Sequence, residues 1–393
     1  MNQTLIFIPP VVNSTQSSIS VSAYEKSVDL FNNEEYLQAF YSFLDYLNDT
    51  FRAKYGNADG TEFHIPHGSI LVHIRIENEV VYVEADFLKL PEKGYVAMLR
   101  QVAALNLDKL LLPRFVKEKD SLKMVYSCPL SQTHPHKMYF VLQNICHVGD
   151  KYDDEFCTKF GAERRYEPQV TPYPQDEIDR IYDGIQKLGT DTMAAVREYE
   201  SDRRYGYAWN VLDTAFYQIS YFANPQGQLL NDFDKAVNDM DADGPSGEVV
   251  TKGKVFLERL LAMSKEELAE DLYFVDTLVS TKQRSSLNNV QSTLGKIYKE
   301  VTDAVQINNY EHSTVRILYI FYEIYFYVDL QDNISVIIAQ ALKSASQQPF
   351  EKASAILYKA MKQIMDGNLT PTNASQSQST QQKKSWFGKM FGK

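Results

Sequence analysis

Cysteine is scarce in this chain: Cys128, Cys146 and Cys157 are the only three among 393 residues. One is left over after any pairing, so a secreted disulfide framework is excluded and a reducing compartment is expected. Long apolar runs are also missing. The longest, residues 317–328, contains Glu323 and falls well short of the roughly 20 residues a bilayer-spanning helix needs, so it reads as a buried helix. The first residues lack a basic stretch and their apolar run is interrupted by Pro9 and Pro10, which argues against a signal peptide. A cytoplasmic protein is therefore expected. Basic charge is in deficit, with 40 Lys and Arg against 51 Asp and Glu, a formal charge of −11. Phosphate binding needs concentrated cations, so a general nucleic-acid binder is excluded.

Catalytic signatures are absent as well. There is no Gly-x-Ser-x-Gly, His-Glu-x-x-His or Gly-x-Gly-x-x-Gly. Gly247 to Lys254 has one residue too many for a phosphate-binding loop, and Val255 stands where a magnesium-binding Ser or Thr belongs. A non-enzymatic protein without cofactors is expected. What is abundant is aromatic: 26 Tyr and 21 Phe beside two Trp. At about 150 residues per domain the length predicts two or three domains.

After a Ser-rich lead-in, Tyr36, Phe40, Phe43, Leu44, Leu47 and Phe51 step by three and four, which predicts one helix ending near Gly56. The period then changes to two. Ile70, Val72, Ile74 and Ile76 form one apolar strand face, and Val81, Val83, Ala85 and Phe87 another, joined by a turn at residues 77–79 into an antiparallel hairpin. Val96, Leu99, Val102, Ala103 and Leu105 return to helical spacing. Strands over 110–116 and 122–128 follow, then a long helix carrying Met138, Val141, Leu142, Ile145, Tyr152, Phe156 and Phe160. Helices and strands in this order describe an α+β layer fold with an antiparallel sheet.

The stretches Phe63-His-Ile-Pro-His-Gly-Ser-Ile-Leu-Val-His-Ile-Arg-Ile76, Leu99-Arg-Gln-Val-Ala-Ala-Leu-Asn-Leu107 and Tyr126-Ser-Cys-Pro-Leu130 carry a resemblance. Over about residues 23–162 the chain resembles the type III secretion chaperone/YbjN-like fold family, in the order of its elements and in a central helix ending in Leu-Asn. The resemblance implies a small domain that holds protein clients or assembles with other proteins, often as a dimer, without catalysis.

Residues 167–175 are proline-rich and read as a linker. Beyond them an all-helical bundle of six to eight helices is expected over 176–366. Ile178, Ile181, Ile185 and Leu188 form a stripe expected to end at Gly189, and Trp209, Leu212, Phe216, Ile219 and Phe222 one ending at Asn224-Pro225. Ser264 and Glu267 have capping-box spacing. Residues 287–304 carry heptad spacing too short for a coiled coil, and three more helices are expected near 317–330, 334–342 and 350–364. The layout is thus a lead-in (1–22), a chaperone-like α+β domain (23–166), the linker, the bundle, a Ser/Gln-rich tether (367–382) and a C-terminal hook (383–393).

The hook gathers Trp386, Phe387, Met390 and Phe391 among Lys383, Lys384, Lys389 and Lys393 with no acid, so the remainder of the chain is more acidic than the whole. A basic, aromatic amphipathic end suits a partner's groove, the protein's own acidic body or an anionic membrane surface. Asp239, Asp241, Asp243 and Gly244 imitate the first half of an EF-hand loop. Pro245 and Val250 break the second half, so an acidic loop between helices is expected there. His134, His136, Cys146, His147 and Cys157 match no zinc spacing, and the cysteines are expected as buried small hydrophobes. Surface or strand-edge packing is expected for His64, His67 and His73, core packing for the six aromatics of 319–327, and no metal site anywhere. The expected function is a protein-binding chaperone or adaptor, with a homodimer among its expected assemblies, that engages a protein partner through the α+β domain by hydrophobic and strand-edge contacts. A peripheral membrane or secretion-machine component recruited by the hook is the second reading.

Overall fold

The computed structural model describes residues 3–11, 21–280 and 282–369. The hook and most of the tether lie outside the described residues. The chain forms two compact units, Ile8–Ser285 with Tyr319–Leu330, and Ser286–Leu318 with the described parts of 2–7 and 331–393. This division does not fall at 167–175.

The first unit opens with α1 (Val21–Asn32), α2 (Tyr36–Leu47) and α3 (Phe51–Tyr55). The single helix expected over 36–55 is thus broken. Asn48 Oδ1 accepts the Thr50 N–H at 2.9 Å, a local turn that competes with helix propagation. Next come β1 (Glu62–His67), β2 (Ile70–Glu77) and β3 (Val80–Lys89), then α4 (Tyr95–Asp108), β4 (Arg114–Glu118), β5 (Ser121–Pro129), α5 (Pro135–Phe160) and β6 (Glu163–Arg164). The sheet is antiparallel in the order β1-β2-β3-β5-β4, with β6 paired to β3. The β2–β3 turn places Asn78 and Glu79 both at positive φ, the geometry that matches strand twist in a two-residue hairpin. Ile70, Val72, Ile74, Val81, Val83 and Ala85 are fully buried against α2 and α5, so the expected period-two faces and the antiparallel α+β layer are present.

The Pro-rich stretch is not a free linker. Val170–Pro172 forms β7, pairing antiparallel with β8 (Tyr273–Val275), and the buried Tyr173 donates its hydroxyl to Asn224 O at 3.0 Å. The helices α6 (Gln175–Ser201), α7 (Tyr205–Ala223), α8 (Gly227–Met240), α9 (Ser246–Ala262) and α10 (Lys265–Glu270) follow. Gly189 lies inside α6 rather than at its end. A Cβ there would meet Leu261 Cδ2 at 2.7 Å, so the residue serves close helix packing against α9. The ends expected at Asn224, in left-handed conformation, and at the Ser264–Glu267 capping box are both formed.

A segment after β8 returns to the α/β layer. Leu278 and Val279 are buried in its core, Leu278 N–H donates to His67 Nδ1 at 3.2 Å, and the Arg284 guanidinium lies 4.3 Å over the Tyr46 ring. Gln283–Arg284 (β9) pairs in parallel with Val328–Asp329 (β10).

The second unit holds α11 (Leu287–Gln306), the start of α12 (Tyr310–Tyr327), α13 (Asp332–Ala345) and α14 (Phe350–Met365). Val290, Leu294, Ile297 and Val301 of α11 are buried, so its heptad-like stripe is bundle packing. Gln291 Nε2 donates to Ile364 O and Met365 O, satisfying carbonyls at the end of α14. From the N-terminal segment, Thr4 N–H donates to Gln348 O at 3.0 Å. Among the described residues nine helices run from residue 175 onward, one more than the upper expectation, with two short strand pairings beside them.

Candidate docking surface and histidine cluster

Helix α4 packs only one of its faces. Met98, Val102 and Leu105 are buried against the sheet, whereas Val96, Arg100, Ala103 and Leu107, spaced by three and four along one stripe, face solvent. Val96 and Ala103 therefore point away from the core that their spacing had suggested. Leu107 is 87% exposed. The loop after α4 continues this apolar surface with Leu111, 71% exposed, and Leu112.

That loop is held in place. Leu110 is buried beneath it, and Asn144 on α5 grips its backbone from both sides, donating to Lys109 O at 2.8 Å and accepting from Leu111 N–H at 3.2 Å. Two leucines are thus presented to water on a backbone held by hydrogen bonds. The surroundings are basic: residues 91–117 contain Lys93, Arg100, Lys109, Arg114 and Lys117 against Glu92 and Asp108, in a chain of charge −11.

The neighbouring sheet edge is closed to strand addition at its centre. Asn106 accepts the Phe115 N–H at 2.7 Å and donates to Phe115 O at 3.2 Å, so its amide occupies the backbone positions another strand would use. This explains the Leu-Asn ending of the helix. At the opposite edge, Gly56 bridges to Phe63, and Asn57 Oδ1 accepts from Thr61 N–H and Glu62 N–H. Both edges are blunted in this way.

On the sheet face turned away from the core, β1 and β2 set His64 directly opposite His73. The two rings stack with centroids 4.1 Å apart and planes 14° off parallel. Glu62 joins them, and one ligand atom from each of the three residues lies within 4.8 Å of the others. His73 Nε2 is buried without a hydrogen-bond partner. Among the described residues this is the one group of three His, Cys, Asp or Glu side chains close enough to share a cation. Surface or strand-edge packing is the sequence expectation for these histidines, without their meeting; the signal for it is their placement at matching outward positions of two consecutive strands.

His67, by contrast, points into the core. Its Nδ1 accepts from Leu278, and burial pushes its pKa down to about 4, so the ring is neutral. Burial also raises the nearby Asp150 carboxyl to about 6 and holds the Cys146 thiol well above its ordinary value. Cys128 and Cys146 are buried and Cys157 half-buried, all three free. His134 caps α5, its Nδ1 accepting from His136 N–H at 3.3 Å.

Asp213, in the middle of α7, is fully buried, and neither carboxylate oxygen meets a donor in bonding geometry. Burial first, then the charge of Asp241, raises its pKa to about 8, while the Tyr217 hydroxyl one turn on partly offsets this. Tyr319 and Tyr327 enclose Tyr217 at ring-centroid distances of 5.8 and 6.0 Å. Within 319–327, Tyr319, Phe321, Tyr322 and Tyr325 are buried, in line with the expected core role, while Tyr327 is exposed.

Asp239, Asp241 and Asp243 lie at the end of α8 and in the exposed loop leading to α9, as expected of an interhelical turn. The Gly247–Lys254 look-alike lies inside α9 and forms no loop. Among the described residues no helix is long and apolar enough to cross a membrane. Lys383, Lys384, Trp386, Phe387, Lys389, Met390 and Phe391 lie outside the described residues. The sequence matches no protein-family model and no curated protein.

Proposed function

We propose that this chain is a protein-binding chaperone or adaptor whose α/β layer docks an amphipathic, acidic segment of a partner protein on the outer face of α4. The observation that carries the reading is the loop after α4, where Asn144 fixes the backbone while Leu111 and Leu112 stand in solvent beside Leu107. Helix-in-groove and helix-on-face contacts of this kind draw affinity from a few buried apolar anchors, and rim charges set partner choice and encounter rate. The basic surround inside an acidic chain favours an acidic partner and disfavours a second copy, which would set Arg100 and Arg114 against their own kind. The blunted sheet edges favour side-chain docking over strand addition.

The test compares what the intact chain and a Leu107→Asp/Leu111→Asp variant retain from its native cells, with unfolding midpoints confirming that both are folded. The expected result is a partner retained by the intact chain, released by raised salt and lost in the variant. Retention of the same partner by the variant, or self-association through these leucines, overturns the reading. If the partner is lost only when the chain is truncated after Gln382, or if that truncation abolishes binding to anionic liposomes, the hook is the recruiting element instead.

A further inference from the structure

We propose that Glu62, His64 and His73 form a binding site for a single divalent late first-row cation, zinc foremost, on the solvent side of the β1–β2 hairpin. The inference does not depend on the docking surface. Two imidazoles and one carboxylate are the donor set that suits Zn²⁺, Cu²⁺ and Ni²⁺. In a tetrahedral zinc site with metal–ligand distances of about 2.0–2.1 Å, donor atoms sit roughly 3.3 Å apart. The present donors lie within 4.8 Å of one another, so modest side-chain rotations about Cα positions fixed by strand pairing close the site.

Three further features favour a cation here. None of the three side chains is engaged elsewhere: among the described residues no hydrogen bond or ion pair reaches the side chain of Glu62, His64 or His73, and His73 Nε2 is buried and unpaired. Glu84 stands directly opposite His73 on β3, placing a second carboxylate beside the ring. Its carboxylate pairs with Lys123 at 3.6 Å and adds negative charge near the ring without bonding it. The neighbouring cation on β2, Arg75, stands opposite Glu62 in the register, but its guanidinium is engaged by Glu77 and lies 4.4 Å over the Tyr82 ring. With three protein donors the fourth position is left for water, so the site is open rather than closed in the manner of purely structural zinc sites.

The experiment titrates the full chain with Zn²⁺ by calorimetry in a non-coordinating buffer, beside His64→Ala, His73→Ala and Glu62→Gln variants, and follows Cu²⁺ binding by electron paramagnetic resonance. The expected result is one ion per chain, an affinity at least about tenfold weaker in either histidine variant, and nitrogen hyperfine structure from two imidazoles. Zn²⁺ is expected to raise the unfolding temperature of the parent and not of the variants. His64 is exposed, so its removal leaves the core intact, and His64→Ala decides the matter if His73→Ala unfolds. Absence of binding, or binding with unchanged affinity and stoichiometry in the histidine variants, overturns the proposal.

Discussion

Burying Asp213 without a closed hydrogen bond is tolerable because its carboxyl remains protonated at neutral pH. In the unfolded chain the same group ionises near pH 4, so between about pH 4 and 8 the folded state holds a proton that the unfolded state has lost, and stability falls as pH rises. Asp150, raised to about 6, acts in the same direction over pH 4–6. His67 acts oppositely: its folded pKa of about 4 lies below the ordinary 6.5, so its contribution grows as pH rises from 4 to 6.5. Above 6.5 Asp213 acts without either. The parent is expected to lose about 2 kcal/mol between pH 6.5 and 8, and Asp213→Asn to lose markedly less, in urea unfolding at the two pH values. Parallel pH profiles for the two proteins would show that Asp213 is ionised in the folded state. None of this was legible from Asp213 in the sequence, where it reads as one more acid on a helix. Its burial follows from α7 being enclosed on all sides, which no local period reveals.

Elements show a different balance. Periodicity located β2, β3, α4 and α5 because a half-buried strand or helix must alternate at its own repeat to bury one face. It misjudges what glycine does: by spacing Gly189 reads as a helix end, yet it sits where α6 and α9 approach too closely for a Cβ. It also places Val96 and Ala103 on the core stripe, although they face solvent with Leu107 and make α4 apolar on two faces. Asn106 links α4 to β4 by pairing both backbone groups of Phe115. Asn106→Ala is expected to cost about 1–2 kcal/mol and to speed aggregation at high concentration by freeing the edge. Chemical denaturation measures the first and light scattering the second; an unchanged midpoint would mean that water replaces the amide without penalty.

At the scale of the molecule, the α/β layer is completed from a distance. Leu278 and Val279 enter its core, Asp276 O accepts from Gly68 N–H at 3.3 Å, and Asp276 pairs with Lys54 at 2.8 Å. Burying the two apolar side chains contributes roughly 1.5–3 kcal/mol each, a large part of a typical domain's net stability. A fragment ending at residue 166 is therefore expected to melt broadly or aggregate, whereas one ending at residue 330 keeps a cooperative transition in calorimetry. A sharp transition for the short fragment would show that the layer is self-sufficient.

By itself the sequence determined the scarcity of cysteine, the excess of acid, the period-two and period-3.6 segments and hence an α+β part followed by helices. These follow from composition and from neighbours a few residues apart. Only the tertiary structure decided that the proline-rich stretch pairs as β7, that residues 276–284 close the first core, and that the sheet edges are capped by Asn106 and Asn57. The same is true of the apolar island on α4 and of the meeting of Glu62, His64 and His73. Each depends on which faces meet across long sequence separations, and that is settled by packing the whole chain rather than by local repeat.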